Sequence, residues 1–218
     1  MVVRPRRQQL SDEAASYLRD LIMAGEIEPG TFLRPEGVAE LLEMSITPVR
    51  EALLTLRGED FLRQVPRRGF LVAELTSQDV KDVFWVQSVL AGESAARAAV
   101  QITAERLEEL TEIQRRIDTA RAAEDAAGVD VANYQFHRLV NQVAHSPKIA
   151  WFLGLTDRYV PRRYVGSIEG WSTASVHDHW PIVTALKAGD VDAARDAMAS
   201  HIQHAGKLLI AHRSRATG

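Results

Sequence analysis

Three histidines in the second half of the chain occupy positions that helical periodicity would otherwise give to apolar side chains. Asn133, Phe136, His137, Val140 and Ala144 share one face by their spacing, so Asn133 and His137 lie one turn apart and point the same way. Val176, His179, Trp180, Val183 and Leu186 form a second stripe, with His179 inside it. A third stripe, Ala194, Ala197, Met198, His201, Ala205 and Leu208, carries His201. A buried polar group without a partner costs about 1–3 kcal/mol, so inward imidazoles and an inward amide need something to bind. One divalent ion would satisfy them together. Imidazole suits zinc, nickel, copper or iron, and three such ligands leave positions open for water or a small anion. The alternative is a local hydrogen bond for each ring within the core. Asn133, His137, His179 and His201 are the candidate metal ligands. His145, His177, His204 and His212 fit the stripes less well and read as solvated or supporting groups, with His204 one turn from His201.

A three-histidine centre with an open position could activate water. The chain has no HExxH, no GxSxG elbow and no glycine loop to cradle phosphate. No acid sits on an inward stripe beside the histidines; Asp130 and Asp178 are nearest, and helical spacing turns Asp178 away from His179. An enzyme is not expected, and a small metalloenzyme is the minor alternative.

The chain has 218 residues, 46% of them hydrophobic and 25% charged, with a formal net charge of −3. That is an ordinary globular composition with room for one or two domains. The absence of cysteine excludes disulfides, thiolate metal sites and cysteine nucleophiles. No apolar run approaches the ~18 residues of a membrane span, and Met1 to Arg7 lacks the apolar core of a signal peptide. A soluble cytoplasmic protein with no membrane partner is expected. Residues 1–75 hold 10 basic and 12 acidic residues, so any nucleic-acid binding must come from local clusters of arginine.

Those clusters fall in a punctuated N-terminal segment. Ser11-Asp12-Glu13 reads as the start of a helix carrying Ala14, Leu18, Leu21 and Ile22, stopped by Gly25. Val38, Ala39, Leu41 and Leu42 suggest a second helix. After a break at Glu43-Met44-Ser45, Thr47 reads as the cap and Pro48 as the first residue of a third. Its buried stripe is Val49, Ala52, Leu53 and Leu56, which leaves Arg50 and Arg57 on an exposed flank. Phe61 to Val65 and Gly69 to Ala73 then read as strands around the turn Pro66-Arg67-Arg68-Gly69. Two helices, a tight turn and an arginine-tipped hairpin describe a winged helix-turn-helix. The start of a helix can meet base edges in the major groove while a basic wing neutralises phosphates beside it. Thr47 and Arg50, with Arg67, Arg68 and Gly69 at the wing, are the expected DNA contacts.

From Thr76 onward the pattern is helical. Segments open at Ser77, Thr103 and Gly128; a fourth runs through Trp151, Leu155 and Tyr159, a fifth over about 175–188, and the last to about His212. Short connections imply an antiparallel bundle. The fold class expected is mainly α, with a DNA-binding domain at 1–75 and a metal- and effector-binding domain at 76–218.

The chain resembles GntR-family transcription regulators of the fatty-acid-regulator-like subfamily, whose C-terminal part is an FCD ligand-binding domain. The resemblance rests on Gly25-Glu26-Ile27-Glu28-Pro29-Gly30, on Ser45-Ile46-Thr47-Pro48-Val49-Arg50-Glu51-Ala52-Leu53, and on the wing Pro66 to Val72. Phe136-His137, the segment from His179 to Asp190, and Met198-Ala199-Ser200-His201-Ile202 are similar to that domain's metal-binding pattern. It implies a homodimer on a pseudo-palindromic operator in double-stranded DNA. It also implies a divalent metal, zinc foremost and nickel or another transition metal next, and a small-molecule effector, a carboxylate, bound at or near the ion. A repressor released by a small organic acid is the expected function; a metal-free regulator with core histidines is the alternative. The chain departs from the family pattern at Asn133, where Asp is usual, at Ile46 and Glu36, where arginines often contact DNA, and at Gln87 and Ala91, where Arg and Glu are frequent. With Gln87 in place of that arginine, Arg158, Arg162 and Arg163 become the candidate anchors for the effector.

Overall fold

The computed structural model describes residues 6–161, 165 and 168–216, apart from the side chains of residues 6, 7, 175 and 216. The chain divides into two compact units. Met1–Thr76 with Arg158–Arg163 and Ala216–Gly218 makes the first; Ser77–Asp157 with Tyr164–Arg215 makes the second.

In the first unit, α1 (Arg6–Ala24) packs on α3 (Ile46–Gly58), with α2 (Pro35–Leu41) against α3. Val49, Ala52, Leu53 and Leu56 of α3 are fully buried, as is Leu18 of α1. The helix starts differ from the sequence reading. Ser11 lies inside α1, where its hydroxyl bonds the Gln8 carbonyl. Ser45 caps α3 rather than Thr47, so Pro48 falls within the first turn, where its missing N–H breaks no helical bond. Leu41 is 64% exposed and belongs to no core stripe.

Strands β2 (Leu62–Val65) and β3 (Gly69–Val72) form the hairpin, pairing Leu62 with Val72 and Val65 with Gly69. A third strand, β1 (Phe32–Leu33), pairs with the other edge of β3 and gives the order β1-β3-β2. The sequence reading missed it: two residues carry too little alternation to signal a strand. Its approach explains Gly69, whose φ is +107° and whose added Cβ would stand 2.7 Å from the Leu33 carbonyl oxygen.

The second unit is helical: α4 (Ser77–Gln101), α5 (Ala104–Ala122), α6 (Ala126–Val143), α7 (Pro147–Thr156), α8 (Trp171–Ala188) and α9 (Val191–Ala216), with a 3-10 turn at Asp157–Tyr159 closing α7. Thr103 caps α5 by accepting from the Arg106 N–H. Gly128 does not separate helices; Asp125 caps α6 by accepting from the Gly128 N–H inside its first turn. In α8 the inward residues are His179, Ile182, Val183 and Leu186, whereas Trp180 turns to the rim and donates to Asp118. Among the described residues no helix is long and apolar enough to cross a membrane.

Gly69→Ala should cost about 1–3 kcal/mol, because it combines a left-handed residue with a backbone collision. Gly37→Ala, inside α2 with nothing near its Cβ position, should be neutral or stabilise by about 0.5–1 kcal/mol. Urea unfolding of the two variants checks both.

Candidate functional site

His137 on α6, His179 on α8 and His201 on α9 bring one ring nitrogen each to a common point, all within 4.8 Å of one another. The Nε2 atoms of His179 and His201 are 3.3 Å apart, and those of His201 and His137 are 3.2 Å apart. His179 is fully buried, His201 nearly so and His137 partly so. Packing holds the rings: Phe136 stacks flat on His179 at 4.0 Å, and His137 stacks on His201 at 5.1 Å.

The surrounding groups fix the tautomers. Gln114 of α5, itself buried, directs its Nε2 to the Asp118 carboxylate at 2.8 Å, so its Oε1 must accept. His179 Nδ1 lies 2.9 Å from that oxygen and therefore carries the proton. His201 Nδ1 faces the Asp178 carboxylate at 3.4 Å and is likewise the protonated nitrogen. With both rings neutral, their Nε2 atoms present lone pairs to each other at 3.3 Å. That arrangement is repulsive unless a cation sits there. About 3.3 Å is also the edge of a tetrahedron with Zn–N bonds of about 2.0–2.1 Å. A fourth donor is at hand: the Asn133 Oδ1 is buried without a hydrogen-bond partner.

Burial above all, and then the neighbouring His201 and His137, hold the His179 pKa well below its ordinary value, which keeps the ring in the neutral, ligating form. Burial pushes the Asp178 carboxyl up, but hydrogen bonds from His201 and His204 outweigh it and leave the group below its usual range. The expectation that no acid stands beside the histidines is corrected here. Asp178 turns away from His179, as its spacing requires, and reaches His201 and His204 on α9 instead, the latter at 2.8 Å. Gln114 and Asp178 were missed as site residues. The signal for Gln114 was a glutamine between the apolar Leu110, Ile113 and Ile117 of α5.

Among the other expected residues, Thr47, Arg50, Arg67 and Arg68 are exposed, the first two in the opening turns of α3 and the others at the hairpin tip. The Arg68 guanidinium lies 4.3 Å over the Phe32 ring. Arg158 does not join the histidines; it is ion-paired with Glu59 in the first unit. Arg162 and Arg163 lie outside the described residues.

Residues 10–72 match the model of the bacterial regulatory proteins of the gntR family, and residues 82–204 match the FCD domain. The chain is a GntR-family regulator with an FCD domain. It is 27% identical over 199 residues to the HTH-type transcriptional regulator McbR of Escherichia coli (strain K12), covering 89% of this chain and 90% of that one. It is 28% identical over 206 residues to the HTH-type transcriptional repressor RspR of the same strain, covering 90% and 87%. The solved structure of E. coli McbR/YncC superposes with a TM-score of 0.70 at 25% identity, over 96% of this chain and 98% of that one. A GntR regulator from Rhodococcus sp. RHA1 shares the fold, with a TM-score of 0.62 at 22% identity, over 92% and 97%. The chain is thus a DNA-binding transcription regulator, as its family is, and not an enzyme.

Asp130, on α6 one turn before Asn133, is half-buried, and burial raises its carboxyl to about 6. Between the ordinary value of 3.8 and that value the folded state binds more protons than the unfolded one. Its ionisation therefore destabilises the fold above about pH 6, and the penalty vanishes below the unfolded value. After discounting for solvent, Asp130→Asn should stabilise the metal-free protein by about 1 kcal/mol at pH 7.5. Thermal melts at pH 7.5 and pH 4 check it; most of the gain should be lost at the lower pH.

Proposed function

We propose that the protein is a metal-containing, effector-responsive repressor, released from DNA by a small organic acid. The observation that carries the metal is the convergence of three imidazole Nε2 atoms, with neighbours 3.3 and 3.2 Å apart, beside a buried amide oxygen without a hydrogen-bond partner. His137, His179 and His201 would hold a divalent ion, zinc foremost, with Asn133 as a fourth oxygen donor. When bound, the ion supplies a Lewis-acid position that takes an anionic oxygen. Gln114 orients His179, and Asp178 orients His201, so that each ring offers Nε2; such supporting groups are typically worth about 10–100-fold in metal affinity. The effector would be a carboxylate. Arg158 is already committed to Glu59, so the anchoring charge would come from the ion, with Arg162 and Arg163 the remaining candidates.

Residues 1–75 would form the DNA-binding head and residues 76–218 the sensing domain. Thr47 and Arg50 would meet the major groove, and Arg67, Arg68 and Gly69 the flanking backbone. A homodimer on a pseudo-palindrome matches this; the exposed Trp85, Val86, Val89 and Val100 on α4 leave apolar surface that a second copy could cover.

His179→Ala should purify without the metal that elemental analysis finds in the native chain; equal content in both ends the metal reading. Gln114→Leu, tested by competition with a chromogenic chelator, should keep the fold and lose about 10–100-fold in zinc affinity. Arg50→Ala should weaken binding to a selected operator by about 1–3 kcal/mol if it reads a base. Unchanged affinity in a gel shift would remove Arg50 from the interface.

A further inference from the structure

Two buried side-chain oxygens lack a hydrogen-bond partner among the described residues: Asn133 Oδ1 and Gln87 Oε1. Gln87, on α4, is 5% exposed. Its Nε2 donates to Asp157 Oδ1 at 2.7 Å, so the amide cannot flip and Oε1 is left facing elsewhere. Helix register shows where. On α4 and α9, Phe84 meets Gly206, Ser88 meets Gln203, and Gly92 meets Arg195 and Ala199. The two helices therefore run antiparallel, and His201 comes level with Val89. Ser94 of α4 bonds Asn141 of α6 at 2.6 Å. If α4 and α6 run parallel, His137 comes level with Leu90, which agrees with the His201 level and with the direct contact of the two rings. Gln87 then lies two or three residues from that level, about 3–5 Å along the axis. It also shares a face with Ala91 and Ser94, the face toward the Asn133, His137 and Asn141 stripe. Gln87 Oε1 is thus an acceptor without a partner near the level of the histidine site, on the face of α4 that meets α6.

The other end of this amide leads elsewhere. Asp157 opens the 3-10 turn whose next residues, Arg158 and Tyr159, belong to the compact unit that contains α3. There Arg158 pairs with Glu59, the C-cap of α3. Arg19 of α1 also clamps Glu59, with Nε at 2.8 Å and Nη2 at 2.7 Å. The Tyr159 hydroxyl donates to the Glu59 carbonyl at 3.1 Å, and its ring stacks on Phe61 at 4.9 Å.

We propose that Gln87 reads the occupant of the histidine site through Oε1 and passes its state, by way of Asp157 and the Arg158–Tyr159 clamp on Glu59, to the C-terminal end of α3. The occupant must present a hydrogen-bond donor: a water on the ion, or the hydroxyl or amine of a ligand. An oxygen that only accepts, such as an unadorned carboxylate, finds no partner in Gln87. The inference rests on the metal reading above.

The test uses the full-length, metal-free chain with zinc chloride as the probe. Zinc content is measured by elemental analysis, and amide hydrogen exchange is followed at residues 59–61. Zinc should slow exchange there by about threefold or more in the native chain. Gln87→Leu should bind zinc at native stoichiometry and lose that response. Asp157→Ala should behave the same way, while Asp157→Asn, which keeps an acceptor oxygen, should restore the response; a general loss of packing would not be rescued in this way. A native chain that binds zinc without a change at 59–61, or a full response in Gln87→Leu, overturns the relay. A native chain that binds no zinc overturns the metal reading and the relay with it, and elemental analysis separates the two failures.

Discussion

A neutral imidazole has one N–H and one lone pair, and wherever the N–H is committed the lone pair must go the other way. In α8 and α9 it is committed outward, to Gln114 and to Asp178. The inward nitrogens are then acceptors crowded against each other, with His137 closing the group. An apolar interior cannot relieve that repulsion. A cation can, and the burial that makes a proton unwelcome on His179 is the physical basis of the metal proposed for this site. The bundle serves this requirement: three helices must hold their rings in register, and Phe136 and the partner side chains hold them at fixed angles.

The DNA-binding unit works under a different constraint. The chain carries a net negative charge, so attraction to phosphate has to be local. The arginines proposed to supply it are exposed: Arg50 one turn into α3, and Arg67 and Arg68 at the tip of a hairpin whose turn has positive φ at Arg67 and Gly69. The third strand stiffens that hairpin from its far edge and supplies Phe32, the platform under Arg68. The pairing of the wing and the seat of Arg68 therefore depend on the same two-residue strand.

What could be read from residues alone follows a physical line. Stripes set by helix period were legible because burial acts on side chains one turn apart; hence α3, the bundle helices and the three inward histidines. The glycine–proline punctuation gave the wing for the same local reason. Partners distant in the chain were not legible. The spacing of Asp178 turns it away from His179 but does not say that it will reach α9, and the place of Gln114 on the inward stripe of α5 does not say that its partner will be His179 on α8. Trp180 shows the limit of a stripe: an indole can flank the core and still turn its N–H to Asp118 at the rim. Arg158 looked like a free cation near a ligand site, whereas a glutamate from the other end of the chain had already claimed it. Helix starts drifted where no strong cap marks them, as at Ser45, whose side chain makes no capping bond.

The account turns on lone pairs from three rings converging on one ion, and X-ray absorption at the zinc edge of the zinc-loaded protein addresses that most directly. Three imidazole nitrogens at about 2.0–2.1 Å, with oxygen completing the shell, is the result expected. A shell of oxygen alone, or one with a single imidazole, would contradict it.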